Sequence, residues 1–166
     1  MEKSPEEQLN EKENNNETKL KKEKDNFNDG DKSNEENNLS NFIKKYGKEI
    51  GLPDLKMNEN NICSLCFRGK INVDIVYNEN NMDCFFASPI CYIPNKNVEK
   101  FYEQLLISNN NYNKSGGVVL GIQEETNRVI LSYTFIAETF SYILFRNALL
   151  NFVDITEANM LKFEEF

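Results

Sequence analysis

Four cysteines are the residues of this 166-residue chain best suited to chemistry. Cys63 and Cys66 form a Cys-x-x-Cys pair, and Cys84 and Cys91 complete a set of four. Four convergent thiolates would hold zinc in a tetrahedron, and a Cys-x-x-Cys placed before a helix would exchange disulfides. Neither pattern fits. Cys63 and Cys66 lie in an alternating run that reads as a strand, so they face opposite sides. Six residues separate the second pair, where zinc sites use two to four. Ser115-Gly116-Gly117 follows Lys114, whereas a phosphate-binding loop needs its Lys after the glycines. Glu124-Glu125 and Glu164-Glu165 fall in a turn and a terminus, where solvated charge is expected, not the facing carboxylates of a glycosidase cleft. The chain has no His, which removes Ser-His-Asp triads, Cys-His pairs, HExxH zinc sites and histidine pH switches. No catalytic residue, metal ligand or cofactor is therefore assigned. The cysteines read as inert thiols of a reducing compartment.

The net charge is −8, which argues against a protein that lives on nucleic acid phosphates. Most of that excess sits at one end. Residues 1–40 carry 12 acidic and 7 basic residues and 9 Asn, with only Met1, Leu9, Leu20, Phe27 and Leu39 apolar. So few apolar groups cannot offset the entropy of an ordered chain, and residues 1–38 are expected to be a disordered acidic tail. Residues 39–166 are expected to fold as one domain; beyond residue 40 there are 60 apolar residues among 126. Met1-Glu2-Lys3-Ser4 opens without an apolar signal region, and no apolar run approaches ~18 residues. The expectation is a cytosolic protein without membrane insertion.

Periodicity then places the elements. Leu39, Phe42, Ile43, Tyr46 and Ile50 have helical spacing, ended by Gly51 and Pro53. Cys63, Leu65 and Phe67 alternate up to a tight turn at Arg68-Gly69-Lys70. Ile71, Val73, Ile75 and Tyr77 alternate back, which makes a hairpin. A third strand is expected over Met82 to Ala87, limited by Pro89. Val98, Phe101, Tyr102, Leu105 and Leu106 mark an amphipathic second helix. Strands over Val118 to Ile122 and Val129 to Phe135 follow, then a largely buried helix over Phe140 to Ile155 with a further turn toward Phe163. The order α-β-β-β-α-β-β-α predicts an α+β domain, a twisted antiparallel sheet with helices mainly on one face.

Between Phe42 and Glu157 the chain resembles the class I type III secretion chaperones, the Tir-chaperone-like (CesT-like) family of small acidic bacterial proteins. The residues that carry the likeness are Ile50-Gly51-Leu52-Pro53-Asp54-Leu55, Cys63-Ser64-Leu65-Cys66-Phe67, and Ala87, Ile90, Ile93 and Pro94. Further along come Leu105 to Asn109, Ser115-Gly116-Gly117-Val118, Phe152-Val153-Asp154 and Glu157-Ala158. Two features depart from the family pattern: the tail is longer, and Asn159-Met160-Leu161 stands where members often have Trp. The resemblance implies a cytoplasmic bacterial homodimer without enzymatic activity. It implies binding of the N-terminal segment of secreted effectors in extended form, and delivery to the ATPase of the export machine.

Holding an extended partner requires spaced apolar anchors and backbone hydrogen bonds, as strand addition at a sheet edge supplies. Ile62, Cys66 and Val76 are expected to point away from the core. Phe42, Ile43 and Tyr46 are expected to border the same groove. Phe101 and Leu105 of the second helix, with Gly117, Val119 and Gly121 of the strand after it, are the candidate dimer contact, because the family places that helix and strand between subunits. A stable contact buries ~1,600 Å². The competing readings are a regulatory or protein-interaction domain of the same fold and a small carboxylate enzyme.

Overall fold

The computed structural model describes residues 32–78, 83–110 and 117–166, with side chains from Leu39 onward, Glu138 apart. The chain divides into two units, the second of which is Glu35–Phe166. The elements are α1 (Lys32–Glu49), β1 (Ile62–Phe67), β2 (Ile71–Asn78), β3 (Asp83–Tyr92), α2 (Val98–Asn110), β4 (Val119–Gln123), β5 (Arg128–Phe135) and α3 (Tyr142–Phe163), with a 3-10 turn at Ala137–Thr139. The five strands form one antiparallel sheet in the order β1-β2-β3-β5-β4. This is the α+β architecture and element order expected from the sequence. Among the described residues no helix is long and apolar enough to cross a membrane.

Local chemistry explains most boundaries. Gly51 ends α1 at φ 79°, and the hydrogen bonds Gly51 N to Lys48 O (3.4 Å) and Leu52 N to Gly47 O (2.7 Å) complete a Schellman cap. Arg68 and Gly69 both have positive φ (53° and 70°), the conformation a tight hairpin turn demands, and Lys70 N donates to Phe67 O. Ser141 caps α3, its hydroxyl accepting from Leu144 N at 3.3 Å.

Three boundaries differ from expectation. Helix α1 begins at Lys32, ahead of Leu39, because its first turns are polar and periodicity cannot register them. The expected disorder of residues 1–31 lies outside the described residues. Strand β3 runs through Pro89 to Tyr92. Pairing with β2 stops at Ala87, and a bulge between Pro89 and Cys91 interrupts the register with β5. The missing N–H of Pro89 therefore falls where no complete ladder needs it. Helix α3 starts at Tyr142 and continues unbroken to Phe163. It buries Phe145, Leu149, Phe152, Val153, Thr156 and Phe163 on one stripe.

Alternation in the strands becomes a two-faced sheet. Cys63, Leu65, Ile71, Val73, Ile75, Tyr77, Cys84, Phe86, Val129 and Leu131 point inward and form the core with Leu39, Ile43 and Tyr46 of α1 and the buried stripe of α3. Phe86 is at its centre. Its ring centroid lies 4.9 Å from Phe135, 5.6 Å from Phe152, 5.8 Å from Phe145 and 6.0 Å from Tyr133. Two surface clasps orient the helices. Arg68 bonds Asp154 and Glu157, Lys70 bonds Glu157, and together they tie the β1–β2 turn to α3. Glu49 accepts from Tyr142 and Arg146 and ties the end of α1 to the start of α3. Those two donors hold the Glu49 carboxyl below its usual range, and burial with the bond to Glu49 pushes the Tyr142 hydroxyl up to about 12.

Removing Phe86 leaves a cavity lined by four rings. Phe86→Ala is expected to cost about 3–5 kcal/mol, read as a lower denaturant midpoint by circular dichroism. A Cβ on Gly47 would stand 2.4 Å from Leu52 O and 2.6 Å from Leu55 Cβ. Gly47→Ala is therefore expected to destabilise by about 1–3 kcal/mol despite the better helix propensity of Ala. An unchanged midpoint would contradict the close approach of the loop.

Candidate functional site

The inward face of the sheet is filled by α1 and α3, and α2 lies at the β4 end. The outward face carries no helix among the described residues. Registry assembles it. Ile62 pairs with Val76, Val76 with Phe85 and Phe85 with Thr134. The next row is Ser64, Asp74, Ala87, Ser132 and Val119, and Ile130 pairs with both Pro89 and Gly121. Two open depressions of about 400 and 370 Å³ lie on this face, and Phe85 lines both. The first includes Val76, Asn61 and Asn78; the second includes Ala87, Pro89, Gly121, Ile130 and Asp74. Small residues make the floor of the second and bulkier ones its walls.

The two sheet edges differ. At β1, Ile62 turns its backbone to Asn58, accepting from Asn58 N at 2.8 Å and donating to Asn58 Oδ1 at 3.0 Å. Asn61 O instead accepts from Tyr77 N. Antiparallel alternation then turns the backbone groups of Ser64 and Cys66 outward, away from β2. At β4 the outward groups of Leu120 are occupied. Asn109 of α2 donates its amide to Leu120 O at 2.9 Å and accepts from Leu120 N at 2.8 Å. Among the described residues no hydrogen bond holds the outward groups of Ser64 and Cys66, whereas Asn109 holds those of Leu120, so β1 is the more open edge for strand addition.

Ile62 and Val76 meet on the outward face, and Cys66 shares it farther along β1. Phe42 is half-buried against Phe145 (5.4 Å) and Tyr142 (6.4 Å), in the helical layer. Ile43 and Tyr46 are core residues, 1% and 3% exposed, so as folded they offer a partner no side-chain surface. The expectation that these α1 residues border the same groove as Ile62 is corrected: they belong to the opposite side of the sheet. Phe101 and Leu105 are likewise core, Phe101 against Phe163 (5.5 Å) and Phe166 (5.6 Å). The apolar stripe of α2 is wide enough for two faces, and the core takes only one. Its outer side carries Tyr102, Leu106 and Ile107, with Leu106 at 71% exposure. Val119 and Gly121 are exposed, and Gly117 is half-buried with φ 85°. Sequence reasoning missed Phe85, Ala87, Ile130 and Asp74. Only Phe85 and Ile130 carried a signal, as apolar residues out of phase with their strands' buried positions.

Cys63 and Cys66 face opposite sides, buried and exposed respectively, as strand parity required. Burial, with a smaller push from Asp74, raises the Cys63 thiol to about 11, so it stays protonated at neutral pH. Among the described residues no cluster of His, Cys, Asp or Glu is arranged to hold a metal ion. Glu124 and Glu125 are exposed in the β4–β5 turn and Glu164 and Glu165 at the C-terminal end; Ser115 and Gly116 lie outside the described residues.

A family model, the Tir chaperone protein (CesT) family, matches residues 41–159. No curated protein sequence matches. Three solved structures are similar in fold. A chain of the ExsC–ExsE complex is 19% identical, with a TM-score of 0.64, over 74% of this chain and 90% of that one. A chain of the HopA1–SchA chaperone–effector complex is 10% identical, with a TM-score of 0.64, over 75% and 94%. A chain of the structure of the Yersinia pestis type III secretion chaperone SycH with a fragment of YscM2 is 15% identical, with a TM-score of 0.55, over 72% and 97%.

Thiol labelling of the native chain should follow this geometry. Cys66 is expected to react with maleimide first at pH 7.5, and Cys63 and Cys84 only on unfolding. Mass mapping of time points checks the order. Early modification of Cys63 would contradict the assigned strand parity.

Proposed function

Because the chain belongs to the Tir chaperone protein (CesT) family, we propose that it is a type III secretion chaperone that holds the N-terminal segment of one or more secreted effectors in extended form. It is a chaperone and not an enzyme. The observation that carries the reading is the outward sheet face. Ile62, Val76, Phe85, Ala87 and Ile130 form an apolar surface that no helix covers among the described residues, beside the open β1 edge. A partner that orders on binding loses conformational entropy and needs such a surface: apolar anchors spread over several strands, and hydrogen bonds that do not depend on its side chains. The HopA1–SchA structure, a chaperone with its effector, supports the same use for this fold.

The chaperone works as a homodimer. Its contact is the outer side of α2, Tyr102, Leu106 and Ile107, continued by Val119 of β4. These are exposed apolar groups on adjoining elements, and a second copy would remove them from water. The acidic N-terminal segment keeps the assembly soluble while the client is held unfolded. Delivery to the export ATPase then requires only that client and chaperone part without covalent chemistry.

The tagged full chain, captured from its source cells, is expected to carry a secreted protein in stoichiometric amount. Binding should be lost when that protein's N-terminal segment is deleted. Val76→Asp and Phe85→Asp should each weaken the complex at least ~10-fold, equal to ~1.4 kcal/mol, with the circular dichroism spectrum unchanged. Partners bound only through folded surfaces would move the assignment to a regulatory domain. Leu106→Asp is expected to halve the mass measured by light scattering; a persistent dimer would place the subunit contact elsewhere.

A further inference from the structure

We propose that the trough between β2 and β4 on the outward face selects client segments in which a Lys or Arg stands about three residues from a bulky apolar side chain. This rests on the chaperone reading and adds the chemistry of the client. The trough holds about 370 Å³, and among its lining residues Asp74 alone is charged. Phe85, Pro89 and Ile130 make apolar walls, and Ala87 and Gly121 leave the floor shallow. A Cβ on Gly121 would meet nothing within 4 Å, so a visiting chain comes close to the sheet there.

The Ser64 hydroxyl donates to Asp74 Oδ1 at 2.5 Å. Among the described residues no Lys or Arg forms an ion pair with it. The composition of the sheet explains why. The five strands contain one basic residue, Arg128, and it is turned onto Tyr92, 4.5 Å from the ring centroid. A carboxylate on an apolar slope, with no cation of its own, favours a partner that brings one. Adjacent strands are ~4.8 Å apart, and Ile130 lies two residues along β5 from Ser132 in the row of Asp74, so Asp74 and Ile130 are separated by roughly 12 Å. An extended chain rising ~3.3 Å per residue covers that in about three to four residues. The cation then sits over Asp74 while the apolar side chain fills the space beside Ile130 and Gly121. Lys and Arg suit this task, because their apolar stems can lie on Ala87 and Phe85 while the charged end reaches Asp74.

The probes are three 14-residue peptides of Ser, Thr and Gly. The first carries one Phe and a Lys three residues before it, the second has Glu in place of that Lys, and the third has Ala in place of the Phe. Each is titrated into the full ¹⁵N-labelled chain at low salt. The Lys peptide is expected to shift the amide signals of Ala87, Gly121 and Ile130, and to bind at least ~10-fold tighter than the Glu peptide. That preference should shrink as salt rises, since ~0.1 M screens beyond about 10 Å. Asp74→Asn should abolish the preference and Asp74→Lys reverse it, while the Phe requirement persists in both. Equal binding of the Lys and Glu peptides, a preference that survives Asp74→Asn, shifts confined to other surfaces, or no binding would overturn the proposal. So would trough signals that shift on dilution of the chain alone, since a second copy would then be the occupant. A captured client whose N-terminal segment binds Asp74→Lys as tightly as the unaltered chain would leave the chaperone reading standing and remove this one.

Discussion

The packing of Phe86 is the contact on which the other elements depend. It projects from the central strand, and its neighbours come from β5 and from two turns of α3. Aromatic rings offer large buried areas in fixed orientations, so this cluster sets both the height of α3 above the sheet and the angle at which it crosses. Helix α1 is placed in turn, because Phe42 rests on Phe145. The inward face is thereby filled from one end to the other. Among the described residues no helix is left to cover the outward face. The surface available to a partner is the complement of the surface that Phe86 organises.

Much of this was legible in the residue order. Strands β1 and β2 alternate so regularly that Cys63, Leu65, Ile71, Val73, Ile75 and Tyr77 are buried as their spacing requires, with Phe67 at the end of β1 only partly so. The Gly51 stop is a local backbone requirement and is visible locally. Strand β3 was harder. A proline normally ends a central strand, and Pro89 is tolerated only because β2 stops pairing before it and a bulge follows. Those are properties of neighbouring strands, and nothing at Pro89 itself reports them. The polar start of α1 was hidden for a simpler reason: periodicity detects a buried stripe, and the first turns of that helix have none.

The functional surface was less legible than the fold. Hydrophobic spacing identifies a stripe without saying which flank meets the core. On α2 that ambiguity placed Phe101 and Leu105 at a subunit contact, whereas both are buried in the core of the same chain, Phe101 against Phe163 and Phe166. Their neighbours Tyr102 and Leu106 hold the exposed positions. On α1 the same ambiguity affected Ile43 and Tyr46. Ile62 and Val76 were placed correctly relative to the core because strand parity allows only two answers. Phe85, their companion across the sheet, needed the register between β2 and β3, which depends on the length of the connection and not on any single residue. The family likeness added the kind of partner, which no residue pattern here would have supplied.

The hydrogen bonds from Asn109 to Leu120 have a consequence at the scale of many molecules. A sheet with two open edges is a monomer for linear polymerisation: one copy's first strand can dock on another's last, and the repeat never closes. One side-chain amide, anchored on a helix, caps one end of that reaction. By the same alternation Ile122 also turns its backbone groups outward, so the block at β4 is local to Leu120. Asn109 therefore obstructs edge-to-edge growth at Leu120, a constraint on association that is absent from any account of the single folded chain.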